Sequence, residues 1–126
     1  MESQSSRRRV LIVDDERVIA DTLSLILQQN GFEASAVYCG TSAIEEAKRW
    51  GPDLIISDVI MPDLNGIEAA IRIREFLPSC RIILFSGQAE TADLLETARA
   101  QGHEFEILAK PLHPDDLLRC LNGHGN

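Results

Sequence analysis

The sequence predicts an α/β fold built from five βα units, a doubly wound parallel sheet with strand order 2-1-3-4-5. Four short apolar runs carry most of that prediction: Val10-Leu11-Ile12-Val13, Leu54-Ile55-Ile56, Ile82-Ile83-Leu84-Phe85 and Ile107-Leu108-Ala109. They lack the alternation of a half-wet strand and read as strands buried on both faces. Between them lie segments whose apolar residues recur at helical spacing. The runs also end alike, each at a polar group: Asp14-Asp15, Ser57-Asp58, Ser86 and Lys110. Ligands of open parallel sheets bind beyond the carboxyl ends of the strands. Three carboxylates, a hydroxyl and an ammonium are therefore expected at one edge.

Each element has its own signal. After the first strand, Ile19, Leu23, Ile26 and Leu27 form an apolar helical stripe, and Asn30-Gly31 stops it. Glu33 to Tyr38 supplies the second strand. Ser42-Ala43-Ile44-Glu45 matches a capping box that opens a second helix, which carries Ile44, Ala47 and Trp50 and ends at Gly51-Pro52. A third helix follows Gly66, presents Ile67, Ala70, Ile71 and Leu77, and stops before Pro78. The fourth runs from about Thr91 to Gly102 and buries Leu94, Leu95 and Ala98. Pro114 starts a short fifth, with Asp115 and Asp116 suited to the positive end of the helix dipole. No repeat or linker interrupts the series, so one domain is expected over residues 1–126, with a core from about 8 to 121 and frayed tails.

Composition narrows the function. Twelve Lys and Arg against 20 Asp and Glu give a net charge of −8, the wrong sign for a nucleic-acid surface. The Arg7-Arg8-Arg9 run reads as a solvated flank. No apolar stretch approaches the roughly 20 residues of a membrane span, and the polar start has no signal-peptide core. Cys39, Cys80 and Cys120 are an odd, widely spaced set and fit reduced thiols in the cytoplasm.

The chemistry resides at the strand ends. Adjacent carboxylates such as Asp14 and Asp15 raise one another's pKa unless a divalent cation compensates, and Mg²⁺ suits one or two carboxylates plus phosphate oxygens. By itself the pair serves equally as a helix N-cap before Glu16. Asp58 ends the neighbouring strand, where it can share the metal and offer a free oxygen as nucleophile. Lys110 can neutralise an acyl phosphate and Ser86 can donate a hydrogen bond to it. Read singly, Lys110 is an ordinary lysine before a turn and Ser86 an ordinary strand end.

Jointly these residues resemble the receiver domain of two-component response regulators, a flavodoxin-like fold. The resemblance rests on Asp14-Asp15-Glu16, on Ser57-Asp58-Val59-Ile60-Met61-Pro62-Asp63-Leu64-Asn65-Gly66, on Ser86-Gly87 and on Lys110-Pro111. It implies that Asp58 accepts a phosphoryl group from a histidine kinase or histidine phosphotransfer protein. Asp15, Asp58 and the Ile60 carbonyl would hold Mg²⁺, with Asp14 acting through metal-bound water. Lys110 would contact the phosphoryl group and Ser86 would swing toward it, while Pro62, Gly66 and a cis Lys110-Pro111 bond shape the loops. Such a domain catalyses its own phosphorylation and dephosphorylation and is not otherwise an enzyme. Its output would pass to a protein target through the fourth helix, fifth strand and fifth helix, where Glu90, Asp93, Glu96 and Arg99 are candidate contacts.

The chain departs from the family at Ile107, where an aromatic rotamer switch usually stands; Phe105, on the same strand face, is a candidate displaced reporter. Ile60 and Gln88 flank the approach to the phosphoryl group, and Ile60 has no side-chain hydrogen bond for an attacking water. His103, His113 and His124 read as turn, cap and tail residues. Two other classes share part of the pattern. An aspartate-nucleophile phosphatase needs a general acid and a lid, for which the short loops leave little chain. A flavin carrier needs a phosphate cradle, and Asp14-Asp15-Glu16 would repel it.

Overall fold

The computed structural model describes residues 8–87 and 91–123. Five parallel strands, β1 (Arg9–Val13), β2 (Glu33–Val37), β3 (Leu54–Asp58), β4 (Arg81–Ser86) and β5 (Glu106–Ala109), form one sheet in the order β2-β1-β3-β4-β5. This is the predicted order. The crossovers are α1 (Arg17–Gln29), α2 (Gly40–Trp50), α3 (Gly66–Phe76) and α4 (Thr91–Ala100), and α5 (Pro114–Gly123) closes the series. Among the described residues no helix is long and apolar enough to cross a membrane.

Strand periodicity divides the core into two layers, because successive side chains point to opposite faces. Leu11, Val13, Ile55, Ile82 and Leu84 face α2, α3 and α4, meeting Ala43, Ala47, Ile67, Ala70, Ile73 and Ala98. Val10, Ile12, Leu54, Ile56, Ile83 and Phe85 face α1 and α5, meeting Ala20, Leu23, Leu27, Leu117 and Leu121. The register aligns the carboxyl ends: Val13 pairs with Ser57, Asp58 with Phe85 and Ser86 with Ala109. That alignment brings the polar groups after β1, β3, β4 and β5 to one edge.

Two helices differ from expectation. The buried ladder of α1 is Ala20, Leu23, Ser24 and Leu27, while Ile19 is 38% exposed. Small residues let the helix sit close to the sheet, and a reading that weighs only large apolar side chains misses them. In α2, Ser42 is not the cap. The helix begins at Gly40, and its N-cap residue, Cys39, makes no side-chain capping bond. The cap is supplied from outside by Asp63, in the loop after β3, which accepts from the Gly40 and Thr41 N–H groups at 3.0 Å each. Smaller differences occur at ends, where β2 stops at Val37 and α4 at Ala100. The predicted stops at Gly31 and Gly51 hold, both with left-handed φ, 92° and 66°.

Candidate functional site

β1 delivers Asp14 and Asp15 to the carboxyl edge. The Asp14 N–H continues the sheet by donating to Val37 (3.2 Å), which turns the side chain inward. It is fully buried, whereas Asp15 and Glu16 are exposed. Its Oδ1 accepts from the Glu16 N–H at 3.0 Å, so Asp14 shapes the turn into α1 while Glu16 occupies the N-cap position without a side-chain bond. Its Oδ2 is buried with no hydrogen-bond partner. Burial raises its pKa to about 6, against the Glu16 bond; the Asp58 charge adds to the rise and the Lys110 charge opposes it.

Asp58 ends β3 and is 4% exposed. Each of its oxygens has a donor: Oδ1 faces the Ile60 N–H at 3.3 Å and Oδ2 the Lys110 Nζ at 2.9 Å. Lys110 follows β5, its N–H held by the Ser86 carbonyl at 3.2 Å. Burial pulls the lysine pKa down, but the hydrogen bond and charge of Asp58, with Asp14 and Glu16 behind them, outweigh it and the net shift is upward. Its ammonium also lies 5.6 Å from the centre of the Phe85 ring. A Cβ on Gly87 would meet the Lys110 Cβ at 3.1 Å, so glycine after Ser86 leaves room for the lysine stem.

Asp14, Asp15 and Asp58 each place one carboxylate oxygen within 4.8 Å of the others. A buried oxygen without a partner beside two further carboxylates, offset only in part by one ammonium, is the donor set a hard divalent cation satisfies. The residues therefore fit Mg²⁺. The Lys110-Pro111 bond is cis. Gly66 is packed so tightly that a Cβ would fall 2.1 Å from the Asp58 carbonyl oxygen, and its N–H donates to Val59 at 2.7 Å. Only glycine lets α3 start directly against the acceptor strand.

A model of the response regulator receiver domain matches residues 10–122. The chain belongs to that family. It is 34% identical over 116 residues to the chemotaxis protein CheY of Thermotoga maritima, covering 91% of this chain and 95% of that one. The CheY of Bacillus subtilis is 33% identical over 115 residues, covering 90% and 94%. The solved structure of chemotaxis response regulator CheY4 of Vibrio cholerae superposes with a TM-score of 0.79 at 30% identity, over 94% of this chain and 98% of that one. Receiver domains are phosphoacceptor switches of two-component signalling, and their acidic pocket generally binds Mg²⁺.

Of the receiver residues expected from sequence, Asp14, Asp15, Asp58, Ile60 and Lys110 come together, and the 3.2 Å bond to Lys110 ties Ser86 to the same edge. Gln88 and Glu90 lie outside the described residues, as does His124. Ile107 is 41% exposed. Phe105 is not brought to the carboxylates. It stands just before β5 and not on the strand as expected, four residues ahead of Ala109, the partner of Ser86, with the Arg74 guanidinium 4.2 Å over its ring. Sequence reasoning missed Asp63, whose capping role had no local signal because its partners are 22 and 23 residues away.

Proposed function

We propose that this receiver domain is a phosphorylation-controlled switch in which Asp58 accepts a phosphoryl group from the phosphohistidine of a histidine kinase or histidine phosphotransfer protein, with Mg²⁺ required. The observation that carries the reading is Asp58 itself: a nearly buried carboxylate, held by Lys110 on one oxygen and by a backbone N–H on the other, beside two further carboxylates. An Asp58 oxygen attacks phosphorus in line, the N–P bond of the donor breaks, and the imidazole nitrogen keeps the electron pair. Asp14, Asp15, Asp58 and the Ile60 carbonyl are the residues that would hold Mg²⁺, which when bound neutralises charge on the transferring phosphoryl oxygens. Lys110 stays on the acceptor side and pairs with the phosphoryl oxygens, and Ser86 donates to another. Hydrolysis by water returns the carboxylate, so the domain turns over its own phosphorylated form only.

The new charge is the signal. Among the described residues of α4 only Ala98 is fully buried, Leu94 and Leu95 are half-buried, and a groove of about 420 Å³ separates this helix from α3. These features support a helix that shifts when Ser86 and its loop regroup, presenting Asp93, Glu96, Arg99 and Ile107 to a protein partner. Three free thiols suit a reducing, cytoplasmic setting.

Incubation with acetyl phosphate and Mg²⁺ tests the reading, with intact mass as readout. One phosphoryl group should be added, and none in Asp58→Ala or with chelator present; Asp58-independent addition would overturn the assignment. Mass is preferable to Trp50 fluorescence, because the Trp50 carbonyl is bonded to Arg9 at the opposite edge of the sheet.

A further inference from the structure

We propose that Asp63 is a positioning residue for the acceptor site, fastening the β3–α3 loop to the first turn of α2 so that Ile60 is held against Asp58. The proposal rests on the phosphoryl-acceptor reading above and extends it to a residue outside the carboxylate cluster.

The loop is clamped at its close and in its middle. At its close, Gly66 presses on the Asp58 carbonyl and its N–H donates to Val59. In the middle, Asp63 Oδ1 accepts from the Gly40 N–H (3.0 Å) and from the Leu64 N–H (2.8 Å). Its Oδ2 accepts from the Thr41 N–H (3.0 Å) and the Thr41 hydroxyl (2.7 Å). Four donors on one carboxylate hold its pKa well below the usual range, the Thr41 hydroxyl being the largest cause. The contact is also close in space, since a Cβ on Gly40 would lie 2.7 Å from the Leu64 carbonyl oxygen.

Ile60 is three residues before Asp63, and its N–H is the donor facing Asp58 Oδ1. Ile60 and Pro62 are exposed, so between Asp58 and Gly66 the loop is held by buried Val59 and Met61 and by this carboxylate. Releasing Asp63 frees the segment that presents the Ile60 N–H and carbonyl. It does so without touching any of the three clustered carboxylates. Groups that hydrogen-bond directly to metal ligands shift metal affinity by about 10- to 100-fold when removed, and Asp63, one step further out, belongs at the lower end.

Three measurements on the full chain decide the matter: Mg²⁺ affinity by calorimetry, amide exchange at Ile60 by NMR, and phosphoryl uptake from acetyl phosphate as a function of Mg²⁺. Asp63→Ala should weaken Mg²⁺ binding by about 10-fold and speed Ile60 exchange. Its uptake should be slow at low Mg²⁺ and approach the parent rate at saturation. Asp63→Asn, which keeps a carbonyl acceptor, should recover part of each loss, and Thr41→Val, which removes only the hydroxyl bond, should show a smaller loss of the same kind. Glu45→Gly, in the exposed face of α2, lowers helix stability without touching the loop and should leave Mg²⁺ affinity unchanged. The proposal is overturned if Asp63→Ala keeps parental exchange and affinity, or if Glu45→Gly weakens Mg²⁺ binding as much. Exchange and calorimetry need no phosphoryl transfer, so a failure of the acceptor reading shows separately, as absence of uptake in the parent.

Discussion

The two edges of the sheet handle charge in opposite ways. At the amino edge, Arg9 meets Glu33 at 3.1 Å, and its N–H and guanidinium also donate to Asp53 and to the Trp50 carbonyl. Arg81 grips Glu106 through two bonds of 2.7 Å. Each arginine there meets a carboxylate, although one guanidinium nitrogen of Arg81, Nη1, is also buried without a hydrogen-bond partner. At the carboxyl edge three carboxylates share one lysine, and a buried oxygen of Asp14 has no partner. The helices that follow β1 and β3 start beyond the carboxyl edge, so their positive ends favour anions there, and the side chains supply the excess. Excess negative charge at the carboxyl edge is relieved by a bound cation or by a proton on Asp14, which makes that edge the candidate site and the ion-paired edge a support.

Removing the imbalance is the strongest way to break the contrast. The raised pKa of Asp14, about 6, means the folded state holds this proton more tightly than the unfolded chain. Its contribution is therefore fully favourable below about pH 4 and is lost as pH rises through about 6, a change on the order of 2–3 kcal/mol. Asp14→Asn should be more stable than the parent by that order at pH 7.5 in chelator, and the gap should close near pH 4. Saturating Mg²⁺ should stabilise the parent by more than the variant, which keeps Asp15 and Asp58. Urea melts under the three conditions check this; a variant less stable than the parent at pH 7.5 in chelator would count against the orphaned charge.

The same operation at the amino edge should do the reverse. Glu106→Ala leaves Arg81, whose side chain is only 18% exposed, without its bidentate partner. We expect a loss of about 1 kcal/mol, toward the upper end for a partly exposed pair, because an unpaired half-buried cation is left behind. Mg²⁺ affinity and phosphoryl uptake should not change. A variant that loses Mg²⁺ binding would show the two edges to be coupled through β4 and β5, and the contrast between them would fail.

How much of this was legible beforehand follows the range of the forces involved. β1, β3 and β4 were readable because burial on both faces demands continuous apolar runs; β5 was expected to be buried likewise, but it is an edge strand with Ile107 and Ala109 exposed and Leu108 half-buried. Asp58 and Lys110, 52 residues apart, were readable because each closes an apolar run. The face of α1 was read correctly at Leu23 and Leu27 but missed Ala20 and Ser24, which pack by being small, a property hydrophobicity does not register. The start of α2 was misplaced because the local Ser42 to Glu45 pattern lost to Asp63, a carboxylate that the fold brings to the helix from 23 residues away. Long-range hydrogen bonds of this kind leave no periodic trace. The cis bond before Pro111 was expected only by family resemblance and is present.

The smallest effect sharpens the comparison most, because it concerns an apolar residue on the charged edge. Ile60 is 42% exposed, and its side chain can neither donate nor accept a hydrogen bond, although its N–H faces Asp58. Loss of the phosphoryl group requires a water oriented for in-line attack, and an Asn carboxamide at this position could orient one. The unaltered protein should keep its phosphoryl group longer than Ile60→Asn, by about 3- to 10-fold, roughly 1 kcal/mol in the barrier. Decay of the isolated phosphoprotein, followed by intact mass, measures it. Since Ile60 takes part in no ion pair, urea melts of the two proteins should coincide. Equal or faster decay in the unaltered protein would mean that Lys110 and the clustered carboxylates set the lifetime unaided. A slower decay would separate the roles at this edge: charge loads the phosphoryl group, and the apolar side chain decides how long it stays.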